Sequence, residues 1–425
     1  MVGWLVPARP SLVVLQSPDF RHYLVGQTLS NFGSAFSGLA VPFAALAVSH
    51  SASAVGLVLL AGRVPQIIFV MLGGTLGDRF PRRLVMLITD SLRTVVQAVT
   101  ALLLLTGSAS LISLMGLQAV ASLGSATFTP SATGLIPHLV EKEKIRAANS
   151  LLSATSNTVS VAAVAVSGVL IAAAGTGVAF AVDAVTFACS TASLALINAG
   201  CLPAREKAGN GGLWGEWVEG WASVRKQAWL ATYCLHMAFY NAISLSPMLV
   251  LGPVVAARHW GGAPGWAGIG IAYAVGAVAG NAVLAHWSPR RPMFTGIAVT
   301  AAMAPLLLLL ALNGPLIAVV LAALLAGAET ALYNTLGMIT LQERLPDSML
   351  SRASSFVSVG SLSMAPIGMA AAGLVAHSVG TRPVLLFAAI WACATATAAC
   401  AVPAVRSLRS LSAAAAAAGQ SAPGM

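Results

Sequence analysis

The sequence predicts an all-α integral membrane protein with twelve transmembrane helices, arranged as two parallel six-helix bundles. Of its 425 residues, 58% are hydrophobic and only 8% are charged, and the mean hydropathy is +0.86. Soluble domains are about half apolar and about one-quarter charged, so a soluble core does not account for this composition. The apolar residues fall into twelve runs, each near the roughly 20 residues that cross a bilayer, and loops of the first six runs recur in the second six.

Each apolar run is predicted as one helix, and short polar breaks separate the runs. The first six helices cover residues 22–48, 53–76, 83–106, 110–136, 148–174 and 177–200. The second six cover residues 228–257, 264–286, 292–312, 315–341, 354–377 and 382–403. The predicted organisation is a cytoplasmic lead-in (1–21), an N-terminal bundle (22–201), a cytoplasmic linker (202–227), a C-terminal bundle (228–404) and an Ala-rich cytoplasmic tail (405–425).

The basic residues are concentrated on one side of the predicted membrane. The formal net charge is +10, and most Lys and Arg residues lie after helices 2, 4, 8 and 10, in the linker and in both tails. Short loops rich in Lys and Arg face the cytoplasm, so both termini are predicted to be cytoplasmic. The excess of Arg over Lys and the many alanines are typical of a GC-rich bacterium, which predicts a multi-pass protein of the bacterial cytoplasmic (inner or plasma) membrane.

Two loops of the first half recur in the second half. Residues 76–83, after helix 2, match residues 284–291, after helix 8, at an offset of 208. The loop after helix 4 matches the loop after helix 10, where Arg146 and Arg352 are 206 positions apart. Basic turns after apolar helices resemble one another by chance, but two loop pairs with nearly one offset indicate a duplication. Six is an even number of spans, so the halves are parallel, a topology that places a substrate cavity between them near the midplane.

The loop after helix 2 reads Gly74-Thr75-Leu76-Gly77-Asp78-Arg79-Phe80-Pro81-Arg82-Arg83. This segment resembles the signature between helices 2 and 3 of the major facilitator superfamily, with Pro81 where the family usually has Gly. The resemblance implies the major facilitator fold and a gating role for Gly74, Gly77, Asp78, Arg79, Arg82 and Arg83. Glycines let helices approach closely, and a carboxylate beside arginines forms a charge latch that breaks as the halves rock. His286 replaces the acid in the second copy, which makes the latch asymmetric.

Further segments resemble the twelve-span drug:proton antiporter branch that includes macrolide-efflux and enterobactin-export proteins. They are Gly124–Pro130, Ile136-Pro137, Asn149–Leu151 and Phe180–Phe187, within a resemblance that runs from about Phe20 to Pro403. The resemblance implies efflux of a hydrophobic or amphipathic small molecule, driven by inward proton movement. Two positions depart from the pattern: Ser34 stands where relatives often have an acid, and residues 163–168 lack the usual proline.

Ionisable residues inside apolar spans are costly and therefore indicate function. Glu329 lies near the middle of helix 10 and is the first candidate for a reversible proton site. The alternative for this residue is a structural hydrogen bond to a neighbouring helix. Arg63 lies near the middle of helix 2, where it must be paired or hydrated, as a counter-ion or a substrate contact. Asp90 and Glu329 are both candidate partners for Arg63.

Three further charged residues lie in helices 3 and 6. Asp90 and Arg93 are three positions apart and share a helix face, which predicts a local ion pair that supports the loop latch. Asp183 lies one or two turns into helix 6 from the outer side. A gate, a helix-packing contact and a proton-transfer group are all open roles for Asp183.

Helix 7 brings polar and aromatic residues together. His236, Tyr240 and Asn241 occupy positions i, i+4 and i+5, so the first two stack on one face with Asn241 beside them. Such groups suit an amphipathic ligand, and interhelical hydrogen bonding is an equal alternative for them and for Asn31. Pro247 interrupts the backbone bonding of helix 7 and predicts a bend.

The predicted function is secondary active transport by alternating access, proton-coupled and outward. The expected partners are a small-molecule substrate, protons and the lipid bilayer, with a monomer as the expected state. A proton-independent facilitator for a metabolite is the first alternative, and a non-transporting membrane receptor or enzyme is the second. No Ser-His-Asp order, His-Glu-x-x-His motif or cysteine pair rises above chance in the sequence, and it has no phosphate-binding loop, so no enzyme activity, cofactor or metal is expected. Basic charge without a soluble domain also predicts no nucleic-acid partner.

Overall fold

The computed structural model describes residues 12–77, 81–141, 144–198, 227–345 and 364–409, and these residues form helices and turns without strands. The first-half helices are α1 (Pro18–Ser49), α2 (Ala52–Gly77), α3 (Arg82–Leu105), α4 (Leu111–Leu139), and α5 and α6, the two parts of Ile145–Ala195 on either side of Gly175. The second-half helices are α7 (Ala228–His259), α8 (Ala263–His286), α9 (Pro292–Ala311), α10 (Leu316–Arg344), α11 (Met364–Val379) and α12 (Thr381–Ala401). A 3₁₀ turn (Leu12–Gln16) precedes α1, and a short helix (Pro403–Arg406) follows α12.

The predicted all-α membrane fold is confirmed. In the described ranges, ten helices are long and apolar enough to cross a membrane, and this count takes Ala147–Ala195 as one helix. Met364–Val379 is a shorter apolar helix. Gly175 divides the long element because its φ of 82° lies in the left-handed region, which glycine adopts without a steric penalty. With that division, each of the twelve predicted runs contains a described helix, although residues 354–363 of the predicted helix 11 lie outside the described residues.

The chain forms two compact units. The first contains residues 1–50 and 61–208, and the second contains residues 51–60 and 209–425. The first turns of α2 thus belong to the second unit, where they pack on α11. A Cβ on Gly56 would lie 2.6 Å from the carbonyl oxygen of Met369. Small residues allow the backbones of two membrane helices to come this close.

The same helix pairings occur inside each unit. In the first unit α3 packs on α4 and on α6, and in the second unit α9 packs on α10 and α12. The first core gathers Phe20, Met86 and Leu135, and the second gathers Tyr233, Met293 and Tyr333. These repeated pairings agree with the repeated loops of the sequence.

A π-helical turn, Asn241–Leu245, interrupts α7 and ends two residues before Pro247. Proline has no N–H and its ring crowds the preceding turn. The wider turn accommodates this crowding, and the N–H of Ser246 bonds to the carbonyl of Asn241, five residues earlier. The irregularity predicted from Pro247 is therefore a π-bulge, and it follows Tyr240 immediately.

Candidate functional site

Among the described residues of the second unit, the buried carboxylate is that of Glu329 on α10, whose side chain is held by groups from α7 and from its own helix. Glu329 is only 2% exposed. The hydroxyl of Tyr240 donates to its Oε2 at 2.9 Å, and the hydroxyl of Thr330 donates to the same oxygen at 3.1 Å. Thr330 in turn accepts a hydrogen bond of 2.7 Å from Tyr273 of α8. Groups of α7 and α10 thus bond directly to one carboxylate oxygen, and α8 supports it through Thr330.

The second carboxylate oxygen, Oε1, is buried and has no hydrogen-bond partner among the described residues. Within the described residues, no salt bridge reaches Glu329. A buried ionised carboxylate without a cation is costly, whereas a protonated carboxyl group carries no charge. The arrangement can therefore hold a proton on a group that is anchored through its other oxygen.

An aromatic cluster adjoins this carboxylate. His236 and Tyr240 stack on one face of α7, with ring centroids 6.2 Å apart, and Tyr333 lies 5.8 Å from the Tyr240 ring. The Nδ1 atom of His236 lies 2.9 Å from the hydroxyl oxygen of Tyr333. Asn241 instead donates to the carbonyl of Met237 on its own helix at 2.9 Å. The structure thus groups His236 and Tyr240 with Glu329.

The first unit contains a buried ion pair between Asp90 and Arg93 of α3, with Nη1 and Oδ1 3.5 Å apart. The hydroxyl of Ser190 in α6 donates to the other oxygen of Asp90 at 2.7 Å. The Arg93 guanidinium lies over the rings of Phe128 and Phe187, 5.1 Å from each centroid. Cation–π contact of this kind offsets part of the cost of burying the charge.

Asp183 of α6 is fully buried beside this pair. Its Oδ2 accepts a hydrogen bond of 2.7 Å from the amide of Gln97. A Cβ at position 33 would lie 2.5 Å from Asp183 Oδ1, so Gly33 of α1 leaves the space that the carboxylate occupies. Gln97 was missed from the sequence, although a polar residue seven positions after Asp90 falls on the same helix face.

A cavity of about 630 Å³ opens beside Arg93 within the first unit. Both Asn31 and Ser34 line it, and the amide of Asn31 donates to the hydroxyl of Ser156 at 3.2 Å. Ser34, where a proton-carrying acid was expected from the resemblance, is thus a cavity-lining hydroxyl.

The loop motif is only partly described. Asp78 and Arg79 lie outside the described residues, whereas Gly74 and Gly77 end α2 and Arg82 begins α3. The side chain of Arg83 donates to the carbonyls of Leu194 and Ala195, at 3.0 and 2.6 Å, and so caps the end of α6.

Arg63 is exposed, and its Nη1 donates to Gln66 on the next turn of α2 at 3.1 Å. Of its two candidate partners, Asp90 is paired with Arg93, and Glu329 is bonded to Tyr240 and Thr330. Among the residues that the structure describes, no group of three His, Cys, Asp or Glu side chains is placed to hold a metal ion.

The family model described as "transmembrane secretion effector", of the major facilitator superfamily, matches residues 10–421. The chain belongs to this family. It is a membrane transporter of the facilitator type and a multi-pass membrane protein. No curated protein sequence matches this transporter.

Solved structures with the same fold cover nearly the whole transporter. The nucleoside transporter NupG has a TM-score of 0.74 at 13% identity and covers 92% of this chain and 99% of its own. A bacterial homologue of the iron transporter ferroportin has a TM-score of 0.72 at 17% identity, covering 90% and 99%. A bacterial homologue of the human lysosomal transporter Spinster has a TM-score of 0.64 at 15% identity, covering 94% and 98%. At these identities the likeness establishes the fold alone.

Proposed function

We propose that this transporter exports a hydrophobic or amphipathic small molecule across the bacterial cytoplasmic membrane and is driven by protons. The observation that carries the proposal is the environment of Glu329. One of its oxygens is anchored by Tyr240 and Thr330, the other is buried without a partner, and no cation pairs with it among the described residues.

This environment favours a carboxyl group that gains and loses a proton as its surroundings change. In the described arrangement, the neutral form avoids an unpaired charge in the hydrocarbon region. A conformation that admits water or a new donor to Oε1 favours the ionised form. Because the proton binds the two conformations with different affinities, its binding shifts the balance between them. Alternating access of two parallel halves then converts a proton gradient into substrate movement.

The outward direction is supported by the family description, since a secretion effector moves its substrate out of the cell. The amphipathic character of the substrate is supported by the 630 Å³ cavity of the first unit, where Phe128 and Leu152 lie among polar groups such as Asn149. Ligand pockets combine apolar walls with a few polar groups that fix orientation.

The test compares Glu329→Gln with the wild type in proteoliposomes that contain a pH-sensitive dye. The probes are neutral 4-methylumbelliferyl glucoside and cationic ethidium. In the wild type, we expect a pH gradient to drive probe movement and a probe gradient to drive proton movement. In Glu329→Gln, which keeps the size of the side chain but cannot ionise, both couplings fall to the level of protein-free liposomes.

The matched control is Glu141→Gln, because Glu141 lies in a loop and pairs with Lys144 at 3.0 Å. This variant retains both couplings. Gradient dependence that persists in Glu329→Gln removes Glu329 from the mechanism. Probe movement that is indifferent to the gradient in the wild type identifies a proton-independent facilitator, and no probe movement above protein-free liposomes overturns export of this substrate class.

A further inference from the structure

The second unit has a narrow apolar groove that the proposed transport cycle does not use. It lies between α7, α11 and α12 and has a volume of about 280 Å³. Every described side chain along it is apolar, from Ala242 and Pro247 of α7 to Phe387 of α12. Pockets for drug-sized ligands usually measure roughly 300–1,000 Å³ and hold a few polar groups that orient the ligand. A smaller groove with an apolar lining suits a flexible hydrocarbon chain better.

The groove is open along the surfaces of α11 and α12. Val375 and Val379 of α11 and Phe387 of α12 line it, and they are 46%, 55% and 55% exposed. Both helices are apolar and lie in the part of the chain that crosses the membrane. The hydrocarbon core of a bilayer holds no water, so apolar side chains exposed there meet lipid tails. The molecules that reach this groove are therefore the acyl chains of the bilayer.

The length of the groove matches one leaflet. Its lining on α11 begins at Gly368 and ends at Val379, which is a distance of about 16 Å at 1.5 Å per residue. Half of the hydrocarbon core is about 15 Å. At Gly368 the backbones of α7 and α11 meet, because a Cβ there would collide with the carbonyl oxygen of Ala242. The groove therefore starts at the end of α11 and closes near the middle of the bilayer, as one acyl chain does.

A cation lies at the open end of the groove. Arg382 is exposed and immediately precedes Pro383, the first residue of α12 that lines the groove. Neither salt bridge among the described residues involves Arg382. The described acidic residues of the second unit are Glu329, buried within α10, and Glu343, in the last turn of α10. Successive helices alternate in direction, so Glu343 lies at the opposite end of the unit from Arg382. The open end therefore favours an anion.

We infer that this groove holds one acyl chain of an anionic phospholipid and that the guanidinium of Arg382 binds the phosphate of the same lipid. The planar guanidinium fits phosphate through paired N–H donors. A zwitterionic phospholipid with the same chains fills the groove equally well but gains less from Arg382, because its net charge is zero. This lipid site goes beyond the proposed transport function and does not depend on Glu329.

The first test titrates the full chain in detergent with phosphatidylglycerol, or with phosphatidylcholine of the same acyl chains, and counts the bound lipids by native mass spectrometry. The wild type is expected to bind one phosphatidylglycerol about fivefold more tightly than phosphatidylcholine. That ratio corresponds to about 1 kcal/mol, which one Arg near the membrane surface typically contributes to the binding of anionic lipid. Arg382→Gln is expected to lose the preference.

The matched control for the charge is Arg258→Gln, because Arg258 is exposed at the end of α7 and outside the groove lining. This variant is expected to keep the preference for phosphatidylglycerol. Absence of bound lipid in the wild type, equal binding of the two lipids, or the same preference in Arg382→Gln and Arg258→Gln overturns the proposed site.

The second test blocks the groove itself. Ala371 of α11 is exposed and lines the groove, so Ala371→Trp is expected to occupy the space of the acyl chain. Both lipids should then bind about tenfold more weakly, as the lost burial of about two CH₂ groups produces. Val375→Phe is a second blocking variant with the same expectation. Ala394→Trp is the matched control, because Ala394 is exposed on α12 outside the groove lining.

Thermal unfolding without added lipid checks that these variants fold like the wild type. If Ala371→Trp and Val375→Phe bind both lipids as tightly as Ala394→Trp does, no acyl chain occupies the groove and the inference is overturned. If both blocking variants bind lipid more weakly and Arg382→Gln loses the preference, both parts of the site are supported.

Discussion

The close crossing of α8 and α10 is set by glycines, and Gly327→Ala is the change that probes it. A Cβ on Gly327 would lie 1.8 Å from the carbonyl oxygen of Tyr273. Because real Cβ atoms essentially never come within 3.0 Å of such an atom, the two helices must separate locally by about 1.2 Å. The obstacle is backbone, so no side-chain rotation relieves it. A Cβ on Gly276 would likewise lie 1.9 Å from the carbonyl oxygen of Leu324.

The contacts of Tyr273 give an estimate of the free-energy cost of this separation. Overpacking of a tight helix contact typically costs about 1–3 kcal/mol. The hydroxyl of Tyr273 lies 2.7 Å from Thr330, and a further 1.2 Å or so takes the pair out of hydrogen-bonding range, at about 0.5–1.5 kcal/mol. We expect the second unit to lose about 2–4 kcal/mol of stability. Thr330 also donates to Glu329, so the carboxylate loses part of its support.

The assay is thermal unfolding of the purified protein in detergent, followed by intrinsic fluorescence. Gly268→Ala is the matched control, because Gly268 lies on α8 and a Cβ there meets no atom within 4 Å. We expect Gly327→Ala to unfold at a clearly lower temperature than Gly268→Ala. Equal unfolding temperatures would refute the close helix contact and, with it, the described placement of Tyr273 beside Thr330.

Two further substitutions test contacts of the first unit. Gln97→Leu removes the Gln97 donor of Asp183 and should cost about 1–3 kcal/mol, because a buried acceptor is left unsatisfied. Gln118→Leu is the control, because Gln118 lies on α4 and is only half buried; equal thermal unfolding of the two variants contradicts the predicted cost. Arg83→Gln removes the two hydrogen bonds to the last carbonyls of α6 and should cost about 0.5–1.5 kcal/mol, which hydrogen exchange detects as faster exchange in that turn. Arg83→Lys keeps the charge but lacks the planar guanidinium that makes both hydrogen bonds. If the last turn of α6 exchanges its amide hydrogens as slowly in both variants as in the wild type, the capping contact is excluded.

Local patterns in the sequence were enough to predict the helices. Long apolar runs predicted the described helix ends within a few residues, apart from the start of helix 11, which was predicted at residue 354 and lies outside the described residues. They did so because the chain in lipid must satisfy its backbone groups inside each span. The positions i and i+4 also placed His236 and Tyr240 on one face of α7, where their rings stack. The π-bulge after Tyr240 was not predicted, because proline indicates an irregularity without indicating its geometry.

The partners of the buried charges were beyond sequence reasoning. Tyr240 and Glu329 are 89 positions apart, and Gln97 and Asp183 are 86 apart. Such pairs depend on how helices cross, and each crossing is set by small residues such as Gly33 and Gly327 whose contacts lie on other helices. Nothing within one span specifies them.

The sequence by itself therefore determined the membrane class, the twelve helices, the duplicated loops and which residues are charged inside a span. These properties depend on residues near one another in the chain. The tertiary structure alone decided that Glu329 is anchored through one oxygen, that Asp183 accepts a hydrogen bond from Gln97, and that Ser34 lines a cavity whose wall is mostly polar. The physical reason is that a buried polar group takes its partner from whichever helix packs against it, and that helix is chosen by three-dimensional packing.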